Sequence, residues 1–247
     1  GPAWPVPLLP TAESTNAAAP PGAGSILVAD PQTAGRGRLD RHWETPAGTA
    51  LTFSAVVDPE LADQDWPLLP LATALAVAEG VRRAADVDPR LKWPNDLLLP
   101  GDPDDGKLAG ILLERVANPE DSDRPLAVIG IGINVGMTRE QLPVDTATSL
   151  ALAGGRDLDR QRLLVAFLER MYAVHAQALR PGSQRAEYAA ACSTIGRRVV
   201  VERTGASPFE MDVHGIDASG RLVGSETLRR DVVVVAAGDV VHVRAQE

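Results

Sequence analysis

The chain has 247 residues, enough for one large domain or a large one followed by a small one, and its 45% hydrophobic and 23% charged residues suit an ordinary buried core. The formal net charge of −9 comes without a basic block, so the counterion release that drives non-specific nucleic-acid binding has no source, and neither DNA nor RNA is an expected partner. There is no apolar run of bilayer length and no charged-then-apolar opening, and the single cysteine, Cys192, cannot form an internal disulfide, so a cytoplasmic protein without a membrane role is expected.

The opening, Gly1 to Pro10, is proline-rich and reads as extended. Ser25 to Asp30 (SILVAD) predicts a short strand. Gln32 to Trp43 (QTAGRGRLDRHW) is dense in glycine and arginine and has no periodicity, which predicts a long, functional loop. Leu51 to Val57 alternates as a strand, and Leu68, Leu71, Ala72, Leu75, Ala78 and Val81 recur at helical spacing, predicting a long helix that ends near Arg82 and Arg83. Leu91 to Leu99 is strand-like on both sides of a Pro-Asn-Asp break. Lys107 to Val116 and Leu126 to Val135 predict two strands joined by an acidic turn, Asn118 to Asp123. Leu164, Phe167, Met171 and Val174 mark another helix, with a shorter one over Ser183 to Cys192. The expected class is α+β with a mixed, largely antiparallel sheet.

The texture changes after Ile195. Short β-branched runs follow at close intervals over Arg198–Glu202, Phe209–Ile216, Arg221–Ser225, Asp231–Val235 and Asp239–Val243, which predicts a small barrel. The expected domains are therefore 1–194 and 195–247.

Of the 24 basic residues only two are lysines, Lys92 and Lys107, and both flank the stretch Trp93-Pro94-Asn95-Asp96. Lysine is a compact point charge on a flexible stem and fits a narrow anionic site where the arginine fork does not. Coding bias is the competing explanation, and composition alone leaves the two level. In Gly35-Arg36-Gly37-Arg38 the glycines let a ligand approach the backbone while two guanidinium forks remain available for phosphate or carboxylate oxygens; Arg41 adds a third charge and Trp43 an apolar face. A solvated basic loop accounts for the same residues.

Gly101 to Leu108 (GDPDDGKL) has the glycine and lysine spacing of a phosphate-binding P-loop. However, Leu108 stands where a magnesium-binding hydroxyl is required, and Asp102, Asp104 and Asp105 would repel a triphosphate, so the motif is rejected. Gly130-Ile131-Gly132-Ile133-Asn134 places glycines two apart on a strand, where either a ligand or a closely packed neighbour must approach the backbone. Asn134 offers both donor and acceptor to a base edge. Ser14-Thr15-Asn16 reads by itself as a helix N-cap, and His42, His175, His214 and His242 lack metal-ligand spacing.

In their order along the chain, Ser14-Thr15-Asn16, Gln32-Thr33-Ala34-Gly35-Arg36-Gly37-Arg38, Lys92-Trp93-Pro94-Asn95-Asp96, Lys107-Leu108-Ala109-Gly110-Ile111-Leu112 and Gly130-Ile131-Gly132-Ile133-Asn134 closely resemble biotin–protein ligases. The resemblance spans Glu13 to the C-terminus. It implies a catalytic domain like that of class II aminoacyl-tRNA synthetases followed by a small SH3-like barrel. The activity it implies has two steps: biotin and ATP, with Mg2+, give biotinyl-5'-AMP, and biotin then passes to a lysine of the biotin carboxyl carrier domain of an acyl-CoA or pyruvate carboxylase.

Carried over residue by residue, Lys107, Arg36 and Arg38 match the catalytic positions. Ser14, Thr15, Asn16, Gln32, Gly35, Arg36, Arg38, Trp43, Lys107, Gly110 and Gly132 match positions around biotin. Arg36, Arg38, Arg41, Trp43, Lys92, Asn95, Lys107, Ile133, Asn134 and Arg244 match the nucleotide side, and Asp96 is a candidate base for the acceptor lysine, with a structural role at the Pro94-Asn95 turn as its competitor. Magnesium ligands are not identified. The segment after Asn16 (AAAPPGAG) is too short and proline-broken for a full helix. The sequence lacks the winged helix of family members that double as repressors, so no DNA-binding role is implied, and a monomer or weak homodimer is expected. A lipoate–protein ligase and a non-catalytic biotin-binding module are the rivals; the latter would not need Lys107 or the Arg36 and Arg38 pair.

Overall fold

The computed structural model describes residues 6–38, 41–101, 104–178, 183–236 and 238–243. In chain order the elements are β1 (Leu8–Leu9), α1 (Thr15–Ala18), β2 (Ile26–Ala29), β3 (Gln32–Arg36), β4 (His42–Thr45), β5 (Ala50–Val57), α2 (Leu68–Ala85), β6 (Arg90–Lys92), β7 (Asp96–Leu99), β8 (Gly106–Val116), β9 (Leu126–Asn134), α3 (Arg160–Ala178), α4 (Ser183–Ala191), β10 (Arg198–Arg203), β11 (Ala206–Ile216), β12 (Leu222–Glu226), β13 (Val232–Val235) and β14 (Asp239–His242).

A seven-stranded sheet runs in the order β1-β2-β5-β9-β8-β7-β6, and a five-stranded sheet in the order β13-β12-β11-β10-β14. The larger sheet is mixed: β1 pairs in parallel with β2, and the remaining neighbours are antiparallel. Its two central strands, β5 and β9, are buried almost throughout, so Ala50–Val57 and Leu126–Asn134 read as near-continuous apolar runs because both faces are covered. Helices α2 and α3 cover one face. The other face is covered by α1 and the β3–β4 hairpin, which set side chains on the glycines of β9.

Helix α2 follows from its apolar spacing and stops where Asp86 turns left-handed (φ 57°). It is buried around most of its circumference because it lies between the sheet and α3 and also contacts α4. A single apolar cluster joins the two sheets, running from Ile26 and Phe53 through Leu91 and Trp93 to Val201, Met211 and Val240. The indole N–H of Trp93 donates to the Gly220 carbonyl at 3.0 Å, and its backbone N–H to Thr194 Oγ1 at 3.1 Å, so the KWPND segment is also the seam between the sheets. Among the described residues no helix is long and apolar enough to cross a membrane.

Several expectations are corrected. The stretch Gln32 to Trp43 is largely paired as two strands rather than an irregular loop, because Gly35 and Arg36 pair with Trp43 and His42. Strand pairing here overrides the low strand propensity of glycine, and a register shift between Gln32 and Gly35 absorbs the misfit. Ser14 stands at the N-cap of α1 but makes no side-chain capping bond, and that helix is a single turn. The first residues of the extended opening, 1–5, lie outside the described residues.

Candidate active site

Two glycines floor the site. Gly110 and Gly132 are direct cross-strand partners on β8 and β9. The Trp43 indole lies against the backbone of Gly132, so that a Cβ there would collide with its pyrrole edge, while a Cβ at Gly110 would stand 3.5 Å from the same ring. The nitrogen of Lys107 lies 5.5 Å from the Trp43 ring centroid, a cation held over an aromatic face. Trp43 Nε1 is buried without a hydrogen-bond partner, a polar atom left over in the protein alone.

At one end of this floor is a cluster of uncharged polar groups. The Thr15 backbone N–H donates to Gln32 Oε1 at 2.9 Å, Gln32 Nε2 donates to the Trp43 carbonyl at 3.2 Å, and the Ser54 hydroxyl sits 2.7 Å from Thr15 Oγ1 and donates to Asn16 Oδ1 at 2.6 Å. Asn16 Nδ2 in turn donates to Glu114 Oε2 at 2.7 Å. Gly130 carries no side chain because Asn16 occupies that space, and Gly35 is likewise filled by Gln32 and the Trp43 carbonyl. Ser14 is buried beside this cluster.

At the other end the cations gather, and each meets an anion or a carbonyl. Lys107 pairs with Asp96 at 2.7 Å and Arg41 with Asp239 at 2.8 Å, and Arg38 donates to the Gly238 carbonyl at 3.2 Å. Arg36 is not among them, since it pairs at 3.2 Å with Glu114, the carboxylate that also accepts from Asn16 in the neutral cluster. Burial pulls the Lys92 ammonium and the Arg38 guanidinium below their usual values, opposed by Asp96 for Lys92 and by Asp239 and Asp96 for Arg38. A group of this kind, with positive charge held in a partly desolvated place, is suited to a polyanion.

Asn95 and the buried Asn134 have their amides engaged: Asn95 Nδ2 donates to the Ile111 carbonyl at 2.7 Å, and Asn134 Nδ2 to the Thr148 carbonyl at 2.9 Å. Ile133 points its side chain into the core. Arg244 lies outside the described residues. Among the described residues no group of three or more His, Cys, Asp and Glu is arranged for a metal ion. A cavity of about 770 Å³ lined by Leu75, Glu79, Arg82, Arg90, Arg170 and Cys192, among others, shares no residue with this site.

The sequence motif that matches residues 11–134 is the Biotin/lipoate A/B protein ligase family, a stretch that contains the glycine floor, the polar cluster, Lys107, Asp96 and the arginine hairpin. The biotin--[acetyl-CoA-carboxylase] ligase of Mycobacterium tuberculosis is 41% identical over 231 residues, covering 90% of this chain and 80% of that protein. The chain belongs to the biotin/lipoate A/B protein ligase family. The bifunctional ligase/repressor BirA of Bacillus spizizenii is 41% identical over 154 residues, which are 60% of this ligase and 46% of BirA. The structure of biotin protein ligase from Aquifex aeolicus in complex with biotin and ATP superposes with a TM-score of 0.78 at 26% identity, covering 97% of the present ligase and 99% of that chain. The mixed α+β architecture of the ligase matches that structure along its length.

Three residues of the site had not been singled out from sequence. Ser54 hides in an apolar strand run, Glu114 at the polar end of another, and Asp239 next to Gly238 in the second sheet. The signal for Ser54 was that it is one of two hydroxyls, with Thr52, in an otherwise apolar and buried strand; for Glu114 and Asp239 nothing local marks them, since their partners are distant in sequence.

Proposed function

We propose that the protein joins biotin to ATP and passes the biotinyl group to a lysine of a biotin carboxyl carrier domain. The observation that carries the reading is the placement of Lys107, with Arg38 and Arg41 near it around Asp96 and Lys92, at the cationic end of a glycine floor whose other end is a neutral hydrogen-bonding cluster. Thr15, Asn16, Ser54 and Gln32 suit an uncharged ureido ring, and the aliphatic tail would run along Gly110 and Gly132 under Trp43, bringing the carboxylate to Lys107. ATP enters as its magnesium complex, with Arg38, Arg41, Lys92 and Arg244 on the phosphate and nucleotide side, joined by Arg36 once it leaves Glu114.

The first step must bring two anions together. A biotin carboxylate oxygen attacks the α-phosphorus, the bond to the β-phosphate oxygen breaks, and pyrophosphate leaves; Lys107 and the arginines offset the repulsion and the charge that spreads over the phosphoryl oxygens. The mixed anhydride is then exposed to water unless covered, which is the work assigned to the β3–β4 hairpin and Trp43. In the second step the acceptor amine attacks the anhydride carbonyl, AMP departs, and the amine proton goes to a base. Asp96 is the candidate, and its pairing with Lys107 means that Lys107 must turn to the phosphate for Asp96 to become available.

On this reading residues 1–194 form the catalytic domain, of the class II aminoacyl-tRNA synthetase type, and 195–247 an SH3-like barrel. Biotin-, lipoate- and octanoate-dependent pyrophosphate release from ATP, measured separately with the purified chain, tests the assignment. Release with lipoate or octanoate in preference to biotin, or none with any acid, would overturn it.

A further inference from the structure

The arginine hairpin holds on to both sheets. Arg36 pairs with Glu114 on β8, whereas Arg38 and Arg41 reach to the edge strand β14 of the five-stranded sheet, joining residues as much as 200 positions apart. Arg41 Nη1 lies 2.8 Å from Asp239 Oδ2, and its Nη2 lies 3.6 Å from Glu202, the cross-strand partner of Asp239. Arg38 donates to the carbonyl of Gly238, the residue just before Asp239.

This corner is built rather than incidental. The Asp239 side chain is 11% exposed against 56% for Arg41, so the carboxylate is the buried partner and needs a positive charge to remain there. Gly238 has φ +146°, and a Cβ on it would stand 2.7 Å from the Glu202 carbonyl, so the backbone that offers its oxygen to Arg38 is open to glycine alone. On the other side, Arg38, Arg41, Lys92 and Lys107 lie close enough to repel one another. The charges that oppose this are Asp96 from the seven-stranded sheet, taken by Lys107, and Asp239 from the five-stranded one.

We propose that Asp239 is a positioning residue for ligation: from the second sheet it fixes Arg41 and, with the Gly238 carbonyl, Arg38, so the phosphate-side cations are assembled only when that sheet is docked. The proposal rests on the hairpin being the phosphate-binding segment. It gives the last strands a part in the chemistry through placement, without contact to substrate.

The test uses Asp239→Asn, Arg41→Gln and the double variant in the full chain. Hydrogen exchange in the hairpin is followed without any substrate, and the ATP KM and kcat are followed in biotin-dependent pyrophosphate release. Asp239→Asn should speed exchange within residues 35–45 by about threefold or more and raise the ATP KM by a similar factor, with kcat within about twofold. In the substrate-free exchange the double variant should be no faster than the faster single variant, and Asp239→Glu should recover part of the lost protection. Unchanged hairpin exchange in Asp239→Asn, or exchange effects that multiply in the double variant, overturns the proposal. If Asp239→Asn does not fold, Arg41→Gln at the exposed partner carries the same test, and unchanged hairpin exchange there is equally decisive. Wild-type chain without biotin-dependent pyrophosphate release would defeat the ligase reading, while the substrate-free exchange would still judge the Asp239 contact.

Discussion

The indole of Trp43 rests on the bare backbone of Gly132, in the space that a side chain on β9 would otherwise fill. The hairpin that carries Trp43 is therefore seated on the sheet through a glycine, and the seat is available to a ligand whenever the hairpin lifts. Gly132→Ala should expel the ring: exchange protection across His42–Thr45 should fall, and biotin affinity should drop about tenfold, in line with the cost of forcing a methyl into a packed contact. Hydrogen exchange and biotin titration check this together. An alanine variant with wild-type protection and affinity would mean that the ring is not seated there in solution.

Lys107→Ala should lower adenylate formation by on the order of 10²–10³, because it removes a positive charge from the meeting point of two anions. Lys107→Arg should restore little, since the fork is larger than an ammonium group already confined between Asp96 and the Trp43 face. Single-turnover pyrophosphate release is the measurement; near-normal rates in the alanine variant contradict the role.

Ser54→Ala removes the hydroxyl that meets both Thr15 and Asn16 in a buried strand. Leaving those two groups without their partner should cost about 1–2 kcal/mol and raise the KM for biotin by roughly tenfold, while the KM for ATP stays where it was. An equal rise in both constants would show that Ser54 supports the fold generally rather than the neutral end of the site.

His242, at the seam between the sheets, is held down to about 4, first by burial and then by Lys92 and Arg197. Its ring nitrogens lie 3.1 Å from Thr194 Oγ1 and 3.4 Å from Arg197 Nη1, so the arginine donates to Nδ1 and the neutral ring carries its proton on Nε2. The folded protein therefore binds this proton more weakly than the unfolded chain, whose histidine titrates near 6.5. The stability contributed by the neutral ring is complete above about pH 6.5 and is lost as pH falls from there toward 4. Urea denaturation at pH 7 and pH 4.5 should show a smaller loss on acidification for His242→Gln than for the wild type. Equal losses would place the acid sensitivity elsewhere.

Much of the fold was legible because its signals are local. Helical spacing in Leu68 to Val81, the apolar runs at Leu51 and Leu126, and the β-branched runs after Ile195 each report a burial pattern that neighbouring residues share. The hairpin at Gln32 to Thr45 was not legible. Its glycines and arginines have poor strand propensity, and only the pairing of Gly35 with Trp43 supplies the missing stabilisation.

By itself the sequence determined the chemistry on offer: two lysines beside one turn, glycines spaced along β8 and β9, and an arginine-rich segment able to meet a polyanion. The tertiary structure alone decided which groups meet. Antiparallel pairing puts Gly110 against Gly132 and so turns two spaced glycines into one floor, while the folding of α1 over β9 brings Asn16 onto Gly130 and Ser54. Docking of the second sheet sets Asp239 beside Arg41. Pairwise electrostatic and packing energies depend on distance through space, and a distance between residues 41 and 239 is fixed only once both sheets have closed on a common core.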